Sequence, residues 1–312
     1  MSLLRSLTLF VLCCCAAPRE LAVRSLISPF RMPMLGSPSA PHRDIRFVTA
    51  DGLTLGGWLF EPAQVPSLGL VVFLHGKDAN RGHFAGDAAR FTALGYTVLA
   101  YDQRAHGQSE GRWCTFGIKE VPDLQLAIDR FAPPGAKVYL IGESMGAAVA
   151  LETAARDPRI AGVVAAASFS DLRTIVTEHK PFFMSAETLA SAVHDAETRA
   201  DFHIDDVNPA RDALSIQVPA LLIHGADDPY ISPQHSRRIR KNLGGRAQLV
   251  TLTGVQHIDV LLHEEAWQII EAWFIDVTCA NRVCAGAARV NAGHRSPGWR
   301  EESPGSAGQG AG

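Results

Sequence analysis

Five residues, Gly142-Glu143-Ser144-Met145-Gly146, join an apolar run, Lys137-Val138-Tyr139-Leu140-Ile141, to an alanine-rich stretch that opens with Ala147 and Ala148. A strand that feeds straight into a helix must turn sharply, and its backbone must touch that of the helix. Glycine at both ends of the pentapeptide permits this, because no Cβ intervenes. The serine at the apex is thrust out of the backbone with its hydroxyl exposed. Met145 opens the helix, so its N–H has no partner within the helix and is free to face a developing oxyanion. The pattern G-x-S-x-G alone is common by chance; the strand before it and the helix after it give it meaning.

The rest of the chain alternates in the same way. Strands are expected at 69–76, 96–102, 137–143, 160–168, 218–225 and 247–252. Helices are expected at about 83–94, 121–132, 145–156, 232–243 and 261–275. Strands separated by helical patterns imply an α/β fold: a mostly parallel sheet, helices on both faces and right-handed crossovers. Residues 44–63 alternate as a hairpin around Asp51-Gly52 and supply an antiparallel N-terminal edge. A chain of 312 residues, 47% of them hydrophobic, can bury one sizeable core, and residues 44–278 are expected to form it.

A base and an acid lie downstream. The run Ala220-Leu221-Leu222-Ile223-His224-Gly225 leads into Ala226-Asp227-Asp228-Pro229, and the strand ending at Leu252 leads to His257. Ser144, Asp228 and His257 each fall just past the carboxyl end of an expected strand, where open α/β sheets build their sites. Their order is serine, acid, histidine. Asp228 is the expected acid, with Asp227 as its near rival and Asp171 as a distant one. His224 reads as buried at a strand end and His263 as part of the final helix.

In these motifs the chain resembles the α/β-hydrolase superfamily, from about residue 44 to 274. The branch it is most similar to comprises small-lidded serine esterases, serine-aminopeptidase-like hydrolases and depalmitoylase-type hydrolases. Three further features follow from the resemblance. The residue after His75-Gly76, which is Lys77, is implied as the second oxyanion donor through its N–H, beside that of Met145. The segment Asp102-Gln103-Arg104-Ala105-His106-Gly107-Gln108-Ser109-Glu110-Gly111 is similar to the family's D-x-R-G-x-G-x-S-x-G, with Ala105 where glycine is usual. The roughly fifty residues between the strands at 160–168 and 218–225 are too many for a plain crossover and match the position of a small helical lid, about 177–215.

The implied activity is hydrolysis of an ester, thioester or amide through an acyl-enzyme, most simply a carboxylesterase. The alternatives are an aminopeptidase-like amide hydrolase and a cofactor-free perhydrolase or lyase on the same fold. The chemistry asks for no cofactor and no metal, and its partner is a small-molecule or acyl substrate. A net charge of −3 gives no reason to expect nucleic acid, and Arg237, Arg238 and Arg240 read as a solvated helix face.

The ends are expected to lie outside the catalytic domain. Residues 1–20 read as a signal peptide or a membrane or lipid anchor: Arg5 is followed by the short apolar run Leu7-Thr8-Leu9-Phe10-Val11-Leu12, with Cys13, Cys14 and Cys15 after it. Leu12 three residues before Cys15 loosely resembles a lipoprotein cleavage box. Export or membrane attachment is therefore expected, with a cytoplasmic chain as the competing reading. Residues 21–43 read as a linker and 279–312 as a disordered tail. Cys114 reads as structural, and Cys279 with Cys284 is the only sequence-near candidate pair.

Overall fold

The structure, a computed structural model, describes residues 18–34, 37–38, 40–63, 65–280 and 299–301. Its sheet runs in the order β1-β2-β4-β3-β5-β6-β7-β8-β9. Strands β1 (Arg43–Val48) and β2 (Thr54–Phe60) form the expected hairpin. β2 then pairs antiparallel with β4 (Thr97–Tyr101). The parallel body comprises β4 with β3 (Leu70–Leu74), β5 (Val138–Glu143), β6 (Ile160–Ala166), β7 (Ala220–Gly225) and β8 (Ala247–Leu252). Near-continuous apolar runs are what a sheet buried on both faces requires.

The pleat divides those runs between two cores. Val72, Leu140, Val163 and Leu222 face α3 (Glu120–Phe131), α4 (Met145–Ala154) and α8 (Gln234–Leu243). Phe73, Ile141, Val164 and Ile223 face α2 (Ala88–Ala93) and α9 (Glu264–Ala280). A third cluster sits elsewhere: Met145 and Ala148 at the start of α4 pack with α5 (Leu172–Glu178) and α6 (Ala186–Ala200). Together with α7 (Pro209–Asp212), these helices fill the β6–β7 insertion and form the small helical lid.

Two expectations about the ends need correction. The expected linker, residues 21–43, is built in at its start: 18–27 form helix α1, whose Val23 and Ile27 are fully buried in the third cluster. Beyond α1 the chain is strapped down. Arg31 donates to the carbonyls of Gly107, Ser109 and Gly111 at 3.0, 2.6 and 2.8 Å, and Asn80 Nδ2 donates to Met32 O at 3.0 Å. In the tail, β9 (Trp299–Glu301) pairs antiparallel with β8, and α9 runs to Ala280. Cys13, Cys14, Cys15 and Cys284 lie outside the described residues. Among the described residues no helix is long and apolar enough to cross a membrane.

Candidate active site

The elbow is held by backbone contact. A Cβ on Gly142 would stand 2.2 Å from Gly146 O, and one on Gly146 would stand 2.1 Å from Leu74 O, so only glycine fits at either position. Between them Ser144 adopts φ 53° and ψ −115°, a conformation an L-residue keeps only when its surroundings impose it. Here β5 and α4 impose it from both sides, and the hydroxyl is presented above the carboxyl ends of the strands.

Three side chains from three strand ends meet there. Ser144 Oγ lies 3.0 Å from His257 Nε2, and His257 Nδ1 lies 2.7 Å from Asp228 Oδ2. The carboxylate needs a proton on Nδ1, which leaves Nε2 as acceptor for the serine hydroxyl. Asp228 has no exposed side-chain surface. Its Oδ1 accepts the N–H groups of Tyr230 and Ile231, each at 2.8 Å. Burial pushes its pKa up. Hydrogen bonds from His224, His257 and the Ile231 N–H outweigh that and hold the carboxyl far below the usual range. The group is thus an anion at any ordinary pH, suited to stabilising an imidazolium.

The rival acids are occupied elsewhere. Asp227 Oδ2 accepts Gly254 N–H at 3.0 Å, and Asp171 caps α5 by accepting Thr174 N–H at 2.8 Å. His263 is exposed, on the turn before α9.

Lys77 and Met145 flank the nucleophile. Gly76 is so close that a Cβ on it would be 3.3 Å from Ser144 Cβ. Neither the Lys77 nor the Met145 N–H is used by a backbone carbonyl among the described residues. The Lys77 ammonium turns aside to Asp78 at 3.1 Å, leaving the backbone as its contribution at this place. His75 orients that backbone. Its Nε2 accepts Gln103 N–H at 3.1 Å, so Nδ1 carries the proton and donates to Gly76 O at 2.8 Å. In a planar trans peptide the C=O and the next N–H point opposite ways, so fixing Gly76 O fixes the Lys77 N–H. Burial, reinforced by neighbouring His106, lowers the His75 pKa to about 3, which keeps this neutral tautomer.

Sequence reasoning missed three contributors. His224, read only as buried, places Nε2 at 2.7 Å from Ile231 O and 3.2 Å from Asp228 Oδ2; both are acceptors, so this nitrogen bears the proton. Asp228 therefore serves two histidines. The Tyr230 ring stands 5.9 Å from the His257 ring, centroid to centroid. His83 Nε2 lies 3.1 Å from Oε2 of Glu143, the residue before the nucleophile. The four-residue interval from His224 to Asp228 across a strand end was the one available signal for the second histidine. Nothing in the sequence pointed to the other two.

Comparison with known proteins agrees with the fold described above. The family described as "Serine aminopeptidase, S33" matches residues 66–207. A Mycobacterium tuberculosis protein, itself uncharacterized, is 27% identical over 232 residues, 73% of this chain and 76% of its own. Human monoglyceride lipase is 34% identical over 143 residues, 44% of this chain and 46% of the lipase. Among solved structures, the Pyrococcus furiosus esterase Pf2001 superposes with a TM-score of 0.64 at 26% identity, covering 80% of this chain and 98% of the esterase.

Proposed function

The chain belongs to the α/β-hydrolase superfamily as an esterase- or lipase-type hydrolase, and from that premise we propose that it cleaves carboxylic esters or thioesters through an acyl-serine intermediate. The supporting observation is the unbroken hydrogen-bond chain from Ser144 Oγ through His257 to Asp228. Ser144 Oγ attacks the carbonyl carbon as its proton passes to His257 Nε2. The tetrahedral oxyanion accepts the N–H groups of Lys77 and Met145. Its collapse expels the alcohol or thiol, which takes the proton from His257. Water then repeats the sequence on the acyl-enzyme, with His257 first as base and then as acid, and frees the carboxylic acid and Ser144. Asp228 remains anionic throughout.

The family description favours one other reading, amide cleavage at an amino terminus. Turnover of p-nitrophenyl esters against aminoacyl p-nitroanilides, by the full chain and by Ser144→Ala, separates the two. The ester reading requires Ser144-dependent ester turnover exceeding anilide turnover by orders of magnitude. Preference for the anilides replaces it with the aminopeptidase reading.

We also propose that the enzyme works attached to a membrane through its amino terminus, on the strength of the charged-then-apolar start at residues 1–12. Fractionation of cells expressing the full chain beside Cys15→Ala tests this. The wild type should sediment with membranes and the variant should be released. Full-length wild type in the soluble fraction ends the idea.

A further inference from the structure

Helix α1 does more than cover a core. Between it and the lid lies an open cleft of about 360 Å³, within the range of about 300–1,000 Å³ usual for small-molecule sites. Leu21, Ala22 and Leu26 of α1 form one wall, and Ile175, Val176 and Met184 on the lid side form the other. The lining is apolar apart from Ser25, His179 and Lys180. The Lys180 ammonium is held by Met184 O at 2.8 Å.

No member of the triad lines this cleft, yet two of its lining residues lean on the site's neighbours. His179, in its wall, has Nε2 at 2.5 Å from Tyr230 O. Tyr230 gives its N–H to Asp228 and its ring to His257. On the other side Phe116, also in the wall, shares a packed cluster with Met145, the residue directly after the nucleophile. The chain leaving α1 reaches the oxyanion loop as well, since Phe30 N–H donates to Asp78 Oδ1 at 2.7 Å, one residue from Lys77.

We propose that this cleft receives the aliphatic acyl chain of the substrate, and that α1, through Leu21, Ala22 and Leu26, sets the chain length the enzyme prefers. The proposal rests on the ester-hydrolase reading and names its substrate class: esters or thioesters of medium to long saturated acids. A largely apolar trough suits a hydrocarbon, which water expels, and the charged side chain in its lining, Lys180, is already held by Met184 O. A segment amino-terminal to the sheet thus acts as a specificity wall, facing the lid rather than belonging to it.

The test uses the full chain with p-nitrophenyl acetate and p-nitrophenyl decanoate. Ala22→Phe on α1 and Val176→Phe on α5 each fill the cleft from one wall. Each should lower the decanoate-to-acetate ratio of kcat/KM about tenfold or more, while acetate turnover stays within about twofold. In parallel, decanoate is titrated calorimetrically into Ser144→Ala with and without Ala22→Phe; binding should be present in the first and lost in the second. An unchanged ratio in both folded variants, or decanoate binding that survives Ala22→Phe, overturns the proposal. Should neither ester be hydrolysed by the wild type, the hydrolase reading fails, and the titration alone still decides whether the cleft takes an acyl chain.

Discussion

At the scale of single residues, the site turns on Asp228, which accepts from His257, His224 and two backbone N–H groups. Replacing it by Asn removes the anion and lets Nδ1 of His257 lose its proton to the wrong tautomer. Asp228→Asn should lower kcat by a factor on the order of 10²–10⁴, whereas Asp227→Asn should stay within about tenfold. Steady-state kinetics on one aryl ester decides, and a larger loss in Asp227→Asn overturns the assignment. The serine, the histidine and the region of the acid were legible because each follows the end of an apolar run. The choice of Asp228 over Asp227 came from the family resemblance and not from the apolar pattern. The two are neighbours, and only the path of the loop sends one carboxylate to His257 and the other to Gly254 N–H. His224 escaped because a buried histidine reads the same in sequence whether it packs passively or donates to a carboxylate.

At the scale of elements, the β5–α4 elbow tolerates no side chain at its glycines. Gly146→Ala forces a Cβ to within 2.1 Å of Leu74 O, and strand and helix must separate. Such backbone collisions fall at the severe end of single substitutions, about 3 kcal/mol or more, with loss of hydrolase activity. Gly86→Ala meets nothing within 4 Å and should change stability by less than about 0.5 kcal/mol. Chemical denaturation of the two variants checks the contrast; equal midpoints contradict it. The hairpin, the parallel strands and α4 were readable from period and punctuation. Helix α1 was not. It buries only Val23 and Ile27 fully, and an isolated helix that short is unstable in water, so its existence depends on the lid cluster it packs against. Ile27→Ala should accordingly cost about 2–4 kcal/mol, a penalty a residue in a solvated linker would not carry. A change below about 0.5 kcal/mol in its unfolding free energy would make residues 21–27 part of a linker after all.

At the scale of the whole molecule, stability should fall at both ends of the pH range for identifiable reasons. Asp228 has its pKa depressed in the fold, so the unfolded chain binds the extra proton first. Its contribution is full above the ordinary carboxylate range and is lost as pH falls below it. His83 behaves oppositely. Burial lowers its pKa, but the close contact with the Glu143 carboxylate outweighs this and raises it above the usual 6.5. That contribution is complete below the ordinary histidine range and is lost as pH rises through the elevated folded value. Thermal midpoints from pH 5 to 9 should therefore decline on the alkaline side in the wild type and flatten there in His83→Gln; an identical slope in both removes His83 from the account. The same molecule-wide view joins α1, the strap through Arg31, the lid and the nucleophile elbow into one surface around Ser144. Whether that surface performs acyl transfer is most directly tested by intact-protein mass spectrometry after exposure to an alkyl fluorophosphonate. One phosphonyl adduct per chain, on the peptide containing Ser144 and absent from Ser144→Ala, is the expected result. Adduct at another residue, or undiminished ester turnover by Ser144→Ala, would contradict it.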